Sequence, residues 1–228
     1  MTRAPPFIVE AIAFDLDGTL LDTAQDLAQA LNALLVEHGL EALPVVFIRD
    51  LIGRGLADLV TRAVAASRGT PPGAGELNAL LARYATHYEA VLGTHTRPYD
   101  GVSDALEALR GAGFRLAVVT NKTTRFVAPH LVHARIADYF DVVIGGDDAA
   151  AKKPDAAPIV LAAGRLGVRC ERLLVVGDSG NDALAARNAG SPVLLVPYGY
   201  NEGVPVRSLP ADGIVDSLAQ LPALCRRP

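Results

Sequence analysis

The chain has 228 residues, half of them hydrophobic and a fifth charged, which is enough apolar material for a substantial core and excludes a disordered composition. A net charge of −4 leaves no basic footprint for nucleic acid, and no apolar run approaches the length of a membrane span. Two distant cysteines, Cys170 and Cys225, argue against a disulfide framework, and Met1–Glu10 lacks the apolar stretch of a signal peptide, so a cytoplasmic protein is expected.

The first predicted element is a short buried strand over Ala11–Phe14. About a hundred residues separate it from the next strand, several times what one crossover needs. Within that interval Ala24–His38, Leu56–Ser67 and Leu77–Leu92 carry helical patterns, and Gly69–Gly75 breaks the last two apart. We read residues 22–97 as an inserted all-helical cap domain, and 1–21 with 98–228 as an α/β catalytic core. A helix then carries Val102, Leu106 and Leu109 and ends at Gly111 and Gly113. Strands at Leu116–Val119, Val142–Ile144, Leu173–Val176 and Val193–Val196 follow. Between them lie helices marked by Phe126, Leu131 and Val132, by Ile159, Leu161 and Leu166 beginning near Pro154, and by Asp182–Asn188 stopped at Gly190. A weak strand, Gly213–Val215, and a short helix close the chain. Alternating strands and helices predict a doubly wound, Rossmann-like parallel sheet.

Open α/β sheets bind ligands outside the carboxyl ends of their strands. There the chain places Asp15-Leu16-Asp17-Gly18-Thr19, Thr120-Asn121-Lys122, Lys152-Lys153-Pro154 and Gly177-Asp178-Ser179-Gly180-Asn181-Asp182. Taken singly, these read equally well as an acidic turn, a β-prone threonine, surface lysines and a helix N-cap. Taken together they converge on one edge, and all three lysines of the chain, against eighteen arginines, fall in two of these loops. Two carboxylates at i and i+2 suit a division of labour in which one attacks and the other carries a proton. Asp178 and Asp182 offer the oxygen ligands that Mg²⁺ takes. Thr120 and the N–H groups after it can hold phosphoryl oxygens, and Lys153 can offset the charge of a phosphate brought up to carboxylates.

These four loops, in this order, resemble the haloacid dehalogenase superfamily, and the strings AFDLDGTLLDT, LIGRG, VVTNK, GDSGNDALAARNAG and VPYGYN are most similar to its phosphoglycolate phosphatase group. The resemblance implies a Mg²⁺-dependent phosphate-monoester hydrolase with a phospho-aspartyl intermediate on Asp15. It implies Asp17 as general acid–base whose backbone carbonyl touches the metal, and Thr120 and Asn121 as phosphate ligands. Lys153 would neutralise the intermediate, Asp178 would be the second metal carboxylate, and Asp182 would support a metal-bound water. The family's second proline after Lys153-Pro154 is replaced by Ala156. Asp17 argues against a dehalogenase, and the lack of lysine from Asp22 to Arg97 argues against Schiff-base chemistry. The missing His-x-x-Ala after the first motif argues against a hexose-phosphate mutase, and intact motif residues argue against an inactive binding module. Arg54, between Gly53 and Gly55, is the candidate for reading a substrate carboxylate, with Arg62, Arg97 and Tyr99 as further candidates. 2-Phosphoglycolate is the expected substrate, and sugar phosphates, N-acetylmuramate 6-phosphate, nucleotides and pyrophosphate are the alternatives. The expected partner is a small phosphorylated metabolite, without nucleic acid or membrane, for a monomer or homodimer.

Overall fold

The computed structural model describes residues 4–228, so Met1–Arg3, the start of the expected core segment 1–21, lie outside the described residues. In chain order the elements are β1 (Phe7–Ile8), β2 (Ala11–Phe14), β3 (Leu21–Asp22), α1 (Ala24–Glu37), α2 (Val45–Arg49), α3 (Leu56–Arg68), α4 (Ala74–Val91) and β4 (Arg97–Pro98). They continue with α5 (Val102–Gly111), β5 (Arg115–Val119), α6 (Thr124–His133), β6 (Val142–Ile144), α7 (Ala157–Leu166), β7 (Leu173–Gly177), α8 (Gly180–Ala189), β8 (Val193–Leu195), β9 (Gly213–Ile214), α9 (Leu221–Leu224) and β10 (Cys225–Arg226). Among the described residues no helix is long and apolar enough to cross a membrane.

Six parallel strands form the main sheet in the order β6-β5-β2-β7-β8-β9. The period-2 alternation of their side chains builds two cores. Ile12, Phe14, Leu116, Val118, Leu174 and Val176 face a layer containing Val102, Leu106 and Leu109 of α5 and Val127 and Leu131 of α6. Ala11, Ala13, Ala117, Val119, Leu173 and Val175 face α7 and α8 through Ile159, Ala162, Ala183 and Ala186. Burial on both faces explains why these strands read as continuous apolar runs. The chain builds outward from β2 on both sides, so β2 lies at the switch point where a doubly wound sheet opens a crevice. Phe14 pairs with Val118 and with Val176, which brings Asp15, Thr120 and Asp178 to one rim.

Helices α1–α4 form a third cluster of their own, centred on Leu31, Leu34, Leu35, Val60 and Tyr84, which Phe126 and Tyr200 of the sheet-bearing part join. The antiparallel ladder Leu21↔Pro98 and Asp22↔Arg97 closes the neck of this insert. Asp26, fully buried, ties α1 to the returning chain by accepting from Gly93 N (2.9 Å), His95 N (2.8 Å), Thr96 N (3.2 Å) and Thr96 Oγ1 (2.7 Å). Burial alone would raise its pKa, but the bonds from Thr96 and His95 outweigh it and hold the carboxylate below its usual range.

Three expectations need correcting. The helix expected near Pro154 begins at Ala157, because Asp155 Oδ1 accepts from Ala157 N at 2.8 Å and Pro158 supplies the first-turn proline. The helix expected from Leu77 begins at Ala74, inside the glycine-rich break, where Glu76 reaches back to Gly73 N at 3.2 Å. The tail adds more than a helix, since β10 pairs in parallel with β1.

Candidate active site

Asp15 follows β2, Asp178 follows β7, and Asp182 lies in the first turn of α8. Each offers a carboxylate oxygen within 4.8 Å of the others'. The rim tolerates this crowding because Gly18, at φ +92°, has no side chain. A Cβ there would lie 2.3 Å from Asp178 Oδ2. Lys153 Nζ spends its three protons on Asp15 Oδ1 (2.8 Å), Asp182 Oδ1 (2.6 Å) and the Val119 carbonyl (2.7 Å). Asp182 Oδ2 is taken by Asp178 N, Ser179 N and Ser179 Oγ, which makes Asp182 a capping residue and a partner of Lys153. Its expected support of a metal-bound water must share those oxygens.

When all three are ionised, these carboxylates exceed the one ammonium by two negative charges. Burial, with Asp182 and Asp17 adding to it and Lys153 opposing it, pushes the Asp15 carboxyl up to about 6. Burial and then Asp182 and Asp15 hold Asp178 well above its usual range. Burial would lower the Lys153 pKa, but Asp15 and Asp182 raise it, so it stays charged. The oxygen donors, their spacing and the excess of two charges fit a hard divalent cation. Asp15, Asp178 and Asp182 are the residues that could hold it.

Asp17 turns its side chain away from this cluster. Oδ1 accepts from Thr23 Oγ1 (2.6 Å), at the start of α1, and Lys122 Nζ reaches both oxygens at 2.9 and 3.1 Å. Burial would raise its pKa, but Lys122, His130 and Thr23 outweigh it and the carboxyl is held below its usual range. The free chain therefore holds Asp17 as an acceptor, the state that a base step needs.

A pocket opens over Asp15 and Asp17. Thr120, Asn121 and Lys122 line it from the core, Gly53 and Gly55 from the loop before α3, and Leu27, Leu56, Leu59, Tyr84 and Tyr88 from the helical insert. Thr120 Oγ1 accepts from Lys122 N at 3.2 Å, which leaves its O–H to donate. The Asn121 amide is committed to backbone: it donates to Gly53 O and Lys153 O, both at 2.9 Å, and accepts from Lys153 N at 2.9 Å. That clamp binds the insert's loop to the loop of Lys153 and leaves the Asn121 backbone N–H, not its side chain, for an anion.

Of the expected residues, the structure brings Asp15, Asp178, Asp182 and Lys153 into one cluster, with Asp17, Thr120 and Asn121 at the pocket beside it. It does not bring in Arg54. That guanidinium is 57% exposed and pairs with Glu202 Oε2 at 2.6 Å, while its neighbours Gly53 and Gly55 line the pocket. Arg62 joins the same cluster at 3.8 Å from Glu202, and Arg97 bonds the carbonyls of Thr94 and Thr96. Lys122, Tyr84 and Tyr88 were not singled out from the sequence. Lys122 carried a signal, as one of three lysines and the end of the Thr120-Asn121-Lys122 run. The tyrosines, four residues apart in an apolar helix, read as core. Tyr200 was missed as well: its N–H donates to Asp178 Oδ2, and its hydroxyl donates to Asp22 Oδ1 and accepts from Thr23 N and Ala24 N. It thereby couples the acidic cluster to the start of α1.

Comparison with known proteins agrees with this architecture. The chain is 46% identical to a phosphoglycolate phosphatase of Nitrosospira multiformis over 97% of this chain and 98% of that protein. It is 40% identical to one of Thiobacillus denitrificans over 94% and 95%. The crystal structure of a predicted phosphoglycolate phosphatase from Haemophilus somnus superposes with a TM-score of 0.89 at 34% identity, covering 93% of this chain and 96% of that one. The profile of the haloacid dehalogenase-like hydrolases matches residues 12–196, and the chain belongs to that family.

Proposed function

We propose that the chain hydrolyses a small phosphate monoester, 2-phosphoglycolate to glycolate and phosphate, through a phosphoryl group carried on Asp15. The observation that carries this reading is the convergence of Asp15, Asp178, Asp182 and Lys153 around two uncompensated negative charges beside a small pocket. Its cavity volume is about 50 Å³, a few times the roughly 10–15 Å³ one water needs. That favours a compact ester over a nucleotide. The substrate itself is suggested by the names of the relatives at 46% and 40% identity.

In this reading Asp17, ionised in the free chain, first takes up a proton from solvent as the ester binds; an Asp15 oxygen then attacks phosphorus, the bond to the leaving oxygen breaks, and Asp17 passes that proton to the leaving oxygen. Asp17 then takes a proton from the water that attacks the phosphorylated Asp15, and inorganic phosphate leaves. Thr120 O–H and the N–H groups after it hold the phosphoryl oxygens. Lys153 keeps Asp15 and Asp182 in place and offsets negative charge. Mg²⁺, held by Asp15, Asp178 and the Asp17 carbonyl, would screen the dianion from the carboxylates. Residues 22–97 would act as a cap over a core of 1–21 and 98–228, a division supported by the insert's own apolar cluster and its two-stranded neck.

The test is phosphate release from 2-phosphoglycolate, sugar phosphates, N-acetylmuramate 6-phosphate, a nucleotide and pyrophosphate, with Mg²⁺ and with EDTA. A lead of about a hundredfold in kcat/KM for 2-phosphoglycolate, roughly 2.7 kcal/mol of transition-state discrimination, sustains the reading. A lead for another ester replaces the substrate. Turnover undiminished in EDTA overturns the metal assignment.

A further inference from the structure

The pocket over Asp15 and Asp17 has two unlike walls. The core wall is polar and its charged groups are paired. The wall given by the helical insert is mostly hydrocarbon from Leu27, Ile52, Leu56 and Leu59. Tyr84 lines this wall too, on a side chain only 1% exposed, and its covered hydroxyl has no hydrogen-bond partner among the described residues. Buried tyrosine hydroxyls ordinarily find a partner, and an unmade bond costs about 1–3 kcal/mol. The ring is not free to swing to one. It stacks on Tyr88 at 5.6 Å and 27°. Tyr88 is itself fixed, accepting from Lys122 Nζ at 2.8 Å and bonded to His130 Nε2 at 2.7 Å. A polar atom held rigidly on a pocket wall without a protein partner is placed to meet a ligand.

We propose that Tyr84 is a specificity-determining residue that donates its hydroxyl to a strongly accepting oxygen, a carboxylate, at the end of the ester away from phosphorus. This rests on the reading of the pocket as a phosphatase site. Burial, then Tyr88, Asp17 and Asp26, hold the phenol well above its ordinary pKa, so it stays a donor. Lys122 lines the same pocket, but its ammonium is already held by Asp17 and Tyr88, so the carboxylate shares that charge with Asp17 and Tyr84 is the donor left for it. Tyr84 therefore takes the place that sequence reading gave to Arg54.

The experiment compares wild type and Tyr84→Phe, both loaded with Mg²⁺, on 2-phosphoglycolate and on ethyl phosphate, which carries a methyl group in place of the carboxylate. The expected result is a fall of about tenfold or more in kcat/KM for 2-phosphoglycolate, with less than a twofold change for ethyl phosphate and no loss of thermal stability. Equal falls on both esters, or none on either, overturn the proposal, because a structural hydroxyl does not distinguish them. If wild type prefers another ester, the substrate assignment fails separately, and the response of 2-phosphoglycolate against that of ethyl phosphate still decides the role of Tyr84. A loss confined to the carboxylated ester supports it; an equal response overturns it. If wild type turns over no ester, the phosphatase reading falls and takes the proposal with it.

Discussion

The rim of the sheet and the helical wall opposite it are both buried, yet they are stabilised in opposite ways. At the rim, Asp15, Asp178 and Asp182 crowd around Lys153, and every proton of that ammonium is used. Across the pocket Leu27, Leu56, Leu59 and Tyr84 make a surface defined by shape, with its polar atoms few and one of them unpaired. The difference teaches where a single substitution is expected to propagate. Removing a charge at the rim changes the balance felt by all the others, whereas a change in the wall alters which ester fits and leaves the chemistry standing.

The sharpest way to break this contrast is Asp15→Asn. Turnover is expected to fall by at least about 10⁴-fold, because the proposed nucleophile is gone. Thermal stability without metal should hold or rise, because one of the repelling carboxylates is neutral. A drop in stability with residual turnover would show that Asp15 is a structural residue.

Lys153→Met should act on both properties. It leaves the buried carboxylates without their ammonium, so a loss of about 3–5 kcal/mol in urea unfolding accompanies the loss of activity. A stability change within about 1 kcal/mol of zero would contradict the charge balance drawn here.

The two regions also titrate with opposite signs. Asp15 has its folded pKa raised to about 6, so in metal-free buffer its contribution is fully present below about pH 4 and is lost as pH rises through about 6. His130, beneath the helical wall, has its folded pKa lowered to about 3 by burial and then by Lys122. The unfolded chain binds the extra proton between about 3 and the ordinary histidine value, so stability is full above about 6.5 and is lost as pH falls through that window. Stability curves of wild type minus Asp15→Asn and wild type minus His130→Leu should therefore slope in opposite directions between about pH 4 and 6.5. Parallel slopes would remove the distinction.

The smallest effect belongs to Arg54→Ala. Its pair with Glu202 is exposed on the arginine side, so stability should change by less than about 1 kcal/mol and KM by less than about threefold on any ester. A selective rise in KM for 2-phosphoglycolate would restore Arg54 as the carboxylate reader and weaken the case for Tyr84.

The rim was legible in the sequence because its residues are chemically rare and follow apolar runs. Asp15, Thr120 and Asp178 each come just after a strand whose continuous apolar run is easy to read. Lys153 stands out in a chain with few lysines. The wall was not legible, because Tyr84 and Tyr88 lie on an apolar helix face where hydrophobic periodicity reports burial and cannot report what the hydroxyl meets. Arg54 lies outside the pocket lining for the complementary reason. The glycines beside it reach the pocket, where a Cβ on Gly55 would meet the Lys152 ammonium and the Asn121 carbonyl, and the guanidinium pairs with Glu202 outside the pocket lining. The short ladders β1–β10 and β3–β4 depend on pairing between distant residues, which no local pattern announces.

The central claim is a phosphoryl group on Asp15. Acid quench of wild-type enzyme during turnover of 2-phosphoglycolate with Mg²⁺, followed by peptide mass spectrometry, tests it most directly. The account predicts a peptide spanning Asp15 that carries one added phosphoryl group, absent from Asp15→Asn and absent without substrate. Steady turnover with that peptide never modified, or modified equally in Asp15→Asn, would contradict it.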